Sequence, residues 1–420
     1  MSVTPTPARL LIAGGGIAGL ALALASRNGK PILVERRVEF SEAGAGIQIS
    51  PNGVHALEAL GVREALEQVA GAPAEIRVHR GATGEILQRL PLGDWIAHRH
   101  GAPYLVAHRR DVQRVLLDAM RGKTFSDSPT NAPHIANGRD VSKIIVPDKS
   151  RYPAGWNGRV VIEASQNLTI DHEPEFRCGS IDGAALVGAD GIHSVVRQHL
   201  YPGYAPRFAG RIAARNVIPA NLTGLSNEVT GVWLAPGTHV VHYPVRRGAE
   251  IAVVVITTEK VWPGAGWSAP ASTGQMRRAL APFAPALRDA LAMASDWRCW
   301  PLFEAPRLPR FAKGLIALIG DAAHPILPFL AQGGSLALED AVTLAAAIDT
   351  FHGDRARAFV HWEKARRKRT HGIANAARRN GWIYHLDGLA SRGRDAALRH
   401  MSPERIMAGY DWIYGWRPEA

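Results

Sequence analysis

The segment that most restricts the fold of this 420-residue chain is LLIAGGGIAGLALALASRNGKPILVE, residues 10–35. An apolar run, Leu10–Ala13, leads into Gly14-x-Gly16-x-x-Gly19; an Ala/Leu-rich run suited to a helix follows, and a second short apolar run ends at Glu35. This order predicts a strand, a tight turn, a helix and a second strand. Gly14 makes the turn, Gly16 lets backbone approach a pyrophosphate, and Gly19 lets the helix pack close to the sheet. Ile17 and Ala18 open the helix, so their end of it aims N–H groups and positive dipole charge at phosphates. Glu35, followed by Arg36, stands where an acid can bond the ribose hydroxyls of an adenosine. The acid favours a dinucleotide with a free 2′-hydroxyl, NAD or the ADP half of FAD, and does not separate the two. Residues 10–25 carry no charge and end near Ala-Leu-Ala-Ser, as a signal peptide would, but the three glycines and the second strand favour the nucleotide unit. The stretch is too short and glycine-rich to span a bilayer.

At 46% apolar content the chain is globular and long enough for two or three domains. Its only cysteines, Cys178 and Cys299, form no CxxC, so no disulfide framework or zinc site is implied and a cytoplasmic setting fits. The net charge of +12 suits small anionic ligands, nucleic acid or an anionic membrane. The densest basic run, Lys364-Ala-Arg366-Arg367-Lys368-Arg369, with Arg378 and Arg379 beyond, reads as the solvated side of a helix. Aromatic residues are not interleaved with it, which argues against single-stranded nucleic acid.

Along the chain, a glycine-bounded loop (44–53) precedes a short helix, and alternation in 75–100 predicts a hairpin. Asp111 is the expected N-cap of a helix. Residues 121–158 read as an irregular insertion around Ile144. Strand character returns at 159–164 and 184–188, the latter running into Gly188-Ala189-Asp190-Gly191. VTGVWLA, THVVHYPV and EIAVVVITT alternate like an antiparallel sheet, a second unit laid on the first. Residues 277–294 read as an amphipathic helix, 315–319 as a buried strand ending at Gly320-Asp321, and 336–348 as a helix. The tail from residue 355 is helical, basic and aromatic-rich.

Three glycine-acid signatures stand in order: Gly14-x-Gly16-x-x-Gly19, Asp190-Gly191 and Gly320-Asp321. With GAGIQISPNG, HRRDV, GADGIHSVVR, HVVHYPVRRG, GDAAHPILPFLAQGGSLALEDA and the closing YDWIYGW, the chain resembles the single-component FAD-dependent aromatic hydroxylases of the p-hydroxybenzoate hydroxylase fold. The likeness is to their salicylate hydroxylase and 3-hydroxybenzoate 6-hydroxylase branch, and it covers nearly everything except about 121–180. It implies an α/β fold: a Rossmann-like FAD-binding domain (1–75, 101–204 and 296–350), an antiparallel-sheet substrate domain (76–100 and 205–295) and a helical C-terminal region (351–420).

The resemblance further implies FAD as cofactor and NADH or NADPH as a transient co-substrate without a second fingerprint. Gly46, Gln48, Arg109, Gly333 and Gly334 would join the FAD site, and Asp190 would brace the pyrophosphate region. Asp321 would bond the ribityl chain, and Pro325 and Pro328 would lie over the flavin ring. His239 and Tyr243, four apart and so on one face of a strand, would line the substrate pocket. Gln332 would sit beside flavin and substrate. His242, of opposite parity, reads as structural. Gln48 stands where some members place a histidine, and Ala214-Arg215 where the family usually has Trp-Arg. The implied reaction hydroxylates an aromatic acid or phenol through a flavin hydroperoxide. His239, with an ordinary pKa of about 6.5, is the expected base, and Tyr243 orients the ring. Partners would be a small aromatic molecule and O2, with no nucleic acid and no stable membrane insertion, in a monomer or homodimer. A flavin epoxidase for a lipid-like isoprenoid, or a non-catalytic FAD module, are the alternatives. The epoxidase would show an apolar membrane-facing patch near Tyr410, Trp412, Tyr414 and Trp416.

Overall fold

The structure, a computed structural model, describes residues 9–26, 31–37, 46–122, 134–137, 141–145, 160–164 and 180–419, except 263, 265 and 353. Strand Leu10–Ala13 lies parallel to Ile32–Glu35 on one side and Ala185–Gly188 on the other. Its six-stranded sheet runs Ala312–Lys313, Ile316–Leu318, Ala185–Gly188, Leu10–Ala13, Ile32–Glu35, His134–Asn137. Helix Ile17–Ala25 is apolar all round because it is buried all round, packed among helices Arg109–Arg121 and Gly333–Thr350 and the sheet.

The parallel edge strand His134–Asn137 falls inside the stretch expected to be irregular. Four residues, HIAN, are too few to establish a period of two, so the sequence carried no strand signal there. Val141–Ile145 is also a strand, paired with Val160–Ala164; most of the rest of 121–158 lies outside the described residues.

The second sheet has eight strands, in the order Ala269–Pro270, Arg298–Glu304, Arg207–Pro219, Glu250–Thr258, Thr238–Val245, Val229–Ala235, Glu75–Arg80, Ile86–Pro91. The three alternating runs form strands with the bounds their alternation gives, and the 75–100 segment supplies the hairpin. One face, with Val240, Val253, Val255 and Trp233, packs on helices Thr273–Leu280 and Pro285–Ala290. The single helix expected over 277–294 is therefore two, because Pro285 starts a new helix rather than continuing the old one. The other face, with Val232, Tyr243 and Ala252, turns toward the glycine-rich unit.

Three further expectations are corrected. Helix Arg109–Arg121 is capped from His108, not Asp111; Asp111 sits in its first turn, where its carboxylate suits the helix dipole and lies 3.8 Å from Arg246. The 336–348 helix is longer, Gly333–Thr350. The basic run of helix Arg355–Tyr384 is not simply a solvated face. Lys364 and Lys368 are exposed, but Arg366 is 2% exposed and grips two buried acids.

No helix among the described residues is long and apolar enough to cross a membrane. Of the C-terminal aromatics, Tyr414 is buried and Trp412 half-exposed.

Candidate active site

The cradle lies at the carboxyl ends of the parallel strands, where open α/β sheets bind ligands. Gly14 has φ +104°, and a Cβ there would come 2.5 Å from the Ala189 carbonyl oxygen. A Cβ on Gly19 would overlap the Gly14 carbonyl oxygen, so the helix can approach the turn only without one. Beside Gly16, by contrast, no atom of the described residues beyond its chain neighbours lies within 4 Å of the Cβ position. Glu35 accepts hydrogen bonds from the N–H groups of Gly15 (2.6 Å) and Arg37 (3.0 Å), which places its carboxylate at the turn with Arg36 exposed beside it.

Asp190 accepts from the N–H groups of Val195 (2.8 Å) and Val196 (3.2 Å) through Oδ2. Its Oδ1 is buried with no hydrogen-bond partner among the described residues, and burial raises the Asp190 pKa. Gly191, at φ +77°, follows it. Fully buried Arg197 donates to the carbonyls of Ile192, Asp321 (3.2 Å) and Ala322 (2.9 Å), tying this loop to the Gly320–Ala322 turn. Asp321 itself is exposed, and Gly320 takes φ +57°. Ile17 and Ala18 open the helix facing this space, and Arg109 opens the neighbouring one. Open room at Gly16 and an unpartnered, buried carboxylate oxygen are features a dinucleotide fits: the first admits phosphate, the second awaits a donor.

The second half of the site is the sheet face carrying His239 and Tyr243. Opposite it run the turn Pro328–Leu330, Ala331 in the left-handed region (φ +52°), and Gln332 at the cap of helix Gly333–Thr350. Ala213, Ile256, Leu302, Leu327 and Phe329 form an apolar cluster between them. Pro328 is exposed and Pro325 half-buried. Gly46 and Gln48 lie on strand Gly46–Ile49, next to Tyr243: a Cβ at Gly46 would overlap the Tyr243 ring and come 2.7 Å from its hydroxyl. Tyr104, which the sequence did not single out, donates to Gln48 Oε1 at 2.5 Å. A Cβ at Gly334 would overlap Ile47, whereas Gly333 has no closer neighbour to such an atom than Ile326 at 4.0 Å. Burial pushes the Tyr243 phenol up to about 12, so it stays a neutral donor.

His239 is 1% exposed. Burial, then His385 and Arg211, hold its pKa well below the ordinary imidazole range. The expected base with an ordinary pKa is therefore not what the fold provides; its Nδ1 lies 2.8 Å from His385 Nε2. His242 points to the opposite face, buried and held near pKa 3 by desolvation, then His79 and Arg77. Gln332 is fully buried, donating to Ser50 Oγ (2.7 Å) and accepting from Asn52 (3.0 Å). The second hydrogen of its amide nitrogen has no hydrogen-bond partner among the described residues.

Behind Gln332, Asn52 donates to Glu339 at 2.6 Å, and Glu339 is also held by Arg366 (2.6 Å) and Arg369 (2.7 Å). Asp340 accepts from Arg366 (2.8 Å), His324 (2.5 Å) and the Gly320 N–H (2.9 Å). Burial alone would raise the Asp340 pKa, but His324 and Arg366 bring it down to about 2. A folded-state pKa below the unfolded 3.8 gives stability that is present above pH 4 and lost as pH falls toward 2. This contribution is about 2 kcal/mol. Acid denaturation midpoints should fall more gently with pH for Asp340→Asn than for the parent over this window; parallel curves would contradict the assignment.

A family model described as FAD binding domain matches residues 8–377. Over 99% of this chain and 98% of its own, the 3-hydroxybenzoate 6-hydroxylase of Polaromonas naphthalenivorans (strain CJ2) is 33% identical. So is the 3-amino-4-hydroxybenzoate 2-monooxygenase PtmB3 of Streptomyces platensis, over 97% and 96%. Among solved structures, Klebsiella pneumoniae HpxO complexed with FAD and uric acid superposes with a TM-score of 0.78 at 24% identity, covering 96% of this chain and 95% of that one. A salicylate hydroxylase substrate complex does so with 0.75 at 21%, covering 98% and 96%. These two establish the fold. With the family model and the relatives at 33% identity added, the chain belongs to the FAD binding domain family and is a flavoprotein monooxygenase of its aromatic-hydroxylase branch.

Proposed function

We propose that this monooxygenase hydroxylates a small phenolic acid of the hydroxybenzoate or salicylate kind, consuming NADH or NADPH and O2. The carrying observation is the apolar-walled face on which His239, Tyr243 and the Tyr104–Gln48 pair converge. The curated relatives' names, which specify hydroxylated benzoates, support the same class.

FAD would rest on Gly14, Gly16, Gly19, Ile17, Ala18, Glu35, Arg36, Arg109, Asp190, Gly191, Gly320 and Asp321, with Gly46, Gln48, Pro328, Gly333 and Gly334 around its ring end. When bound it supplies the electron and oxygen chemistry. The chain's own residues then have three tasks. Phe329, Leu302, Leu327 and Ile256 exclude water, which would otherwise divert reduced oxygen to peroxide. Tyr243 and the spare amide proton of Gln332 orient the ring by donating to its oxygens, while the Tyr104 hydroxyl, its proton committed to Gln48, accepts from a ring hydroxyl. Arg211 and Arg215, four apart on strand Arg207–Pro219 and so on one face, offer positive charge to a carboxylate. We place the FAD unit in 1–75, 101–204 and 296–350 and the substrate sheet in 76–100 and 205–295. The working form is a cytoplasmic monomer or homodimer without nucleic-acid partners.

NADH oxidation by the FAD-loaded protein, with peroxide followed in parallel, tests this against hydroxylated benzoates and hydroxypyridines. A phenolic acid should stimulate oxidation several-fold with peroxide well below stoichiometric. Stimulation only by apolar isoprenoids, or by nothing, would overturn the reading.

A further inference from the structure

His385 terminates the long helix Arg355–Tyr384, far in sequence from the substrate-sheet strands, yet it lies against His239. The Arg211 Nε is 3.2 Å from His385 Nδ1, and the Arg211 guanidinium sits over the Phe329 ring at 5.1 Å. Arg394 fixes the end of the helix by donating to the carbonyls of Ile383 and Tyr384, both at 3.2 Å.

Donor logic gives this chain a direction. Arginine has only hydrogens to give, so His385 Nδ1 is the acceptor. A neutral imidazole with a lone pair on Nδ1 carries its proton on Nε2. That proton points at His239 Nδ1, 2.8 Å away, which must accept it. His239 is then left with its own proton on Nε2, and no described residue bonds that nitrogen. Both rings are held neutral: burial brings His385 down to about 4, with Arg211 and Arg394 adding to the effect, and burial also holds His239 well below the ordinary imidazole range.

We propose that Arg211 and His385 are positioning residues that fix the tautomer of His239, so that it offers an Nε2–H donor, not a lone pair, to the ring oxygen of an aromatic ligand. The ligand half rests on the reading that His239 faces the substrate. In this arrangement the phenol proton leaves to solvent, and His239 stabilises the resulting phenolate by a charge-assisted hydrogen bond. The ring is activated by its ionisation, which this donor favours by stabilising the phenolate, and no protein base is needed to hold the proton.

The test uses 15N-histidine-labelled, FAD-loaded protein, whose imidazole nitrogens report protonation directly by NMR, with His239→Gln and His385→Gln assigning the signals. His239 should show a protonated Nε2 and a bare Nδ1. In His385→Phe and Arg211→Met this should become a mixture of tautomers, while His385→Gln, which returns an N–H donor near the lost Nε2, should keep it. A protonated Nδ1 in the parent, or no change in His385→Phe and Arg211→Met, would overturn the proposal. Affinities for 3-hydroxybenzoate and salicylate, read from flavin absorbance, separate the two halves. His239→Gln should weaken binding at least tenfold. An intact tautomer with unchanged affinity would refute the substrate-facing reading and leave the relay standing.

Discussion

Arg366→Ala is expected to destabilise the protein by about 3–5 kcal/mol, the usual cost of removing one partner from a buried ion pair. Arg366 is 2% exposed and its guanidinium is shared between Glu339 and Asp340, both fully buried. Truncation leaves Glu339 to Arg369 and Asn52, and Asp340 to His324 and the Gly320 N–H, so each acid keeps some partners but loses its main desolvated charge. It also removes the guanidinium that lies 5.7 Å from the centre of the Trp416 ring, on the C-terminal aromatic segment. Against a typical total of about 5–15 kcal/mol, this is enough to bring the domain near its unfolding threshold. Asp340 fixes Gly320, so FAD retention should fall in parallel. Urea midpoints and flavin absorbance after desalting would both register the change. Lys368→Ala, on the exposed side of the same helix, should move the midpoint by no more than about 0.5 kcal/mol. Equal effects at the two positions would mean that the network carries no special weight.

This contrast marks where the sequence was legible. Alternation by two is a local signal, and it placed Val229–Ala235, Thr238–Val245 and Glu250–Thr258 to the residue because hydrogen bonds fix the register while successive side chains pack on opposite faces of the sheet. The Gly14–Glu35 unit was legible for the same reason: most of its constraints, such as the contact of Gly19 with Gly14, act within one strand-turn-helix-strand segment, although Gly14 is also pressed against Ala189. The basic run misled because charge along a helix says nothing about what packs on it. Glu339 and Asp340 sit within a mostly apolar helix and had no visible reason to be there until Arg366 and Arg369 met them. His385 and Tyr104 were missed for a related reason. Their meaning comes from contacts across long sequence separations, His385 with His239 and Tyr104 with Gln48, and neither belongs to a short motif. Strand parity puts His239 on one face with Tyr243, and the family resemblance assigned that face to the substrate, but the protonation of His239 was not legible, since that is set by Arg211 and His385 through two hydrogen bonds.

Gly19→Ala and Gly16→Ala should part sharply, although both alter the same short motif. At Gly19 an added Cβ would overlap the Gly14 carbonyl oxygen and come 3.3 Å from Leu33 Cδ1, both within the packed interior. The turn cannot yield easily, because the Gly14 N–H donates to the Val34 carbonyl at 2.8 Å and Gly14 is itself pressed against Ala189. The helix would have to lift from the sheet, and the overpacking cost is at least about 1–3 kcal/mol, with loss of the phosphate-facing turn. At Gly16 the added methyl meets no atom of the described residues beyond its chain neighbours within 4 Å, and the backbone there is extended, at φ −72°, so folding stability should change by less than about 1 kcal/mol. The same methyl would occupy the space that a pyrophosphate needs, so FAD affinity should fall at least tenfold. Thermal unfolding of the flavin-stripped proteins, followed by FAD titration of each, checks both statements. A stable Gly19→Ala protein, or a Gly16→Ala protein that binds FAD as the parent does, would show that the cradle does not lie where the three glycines put it.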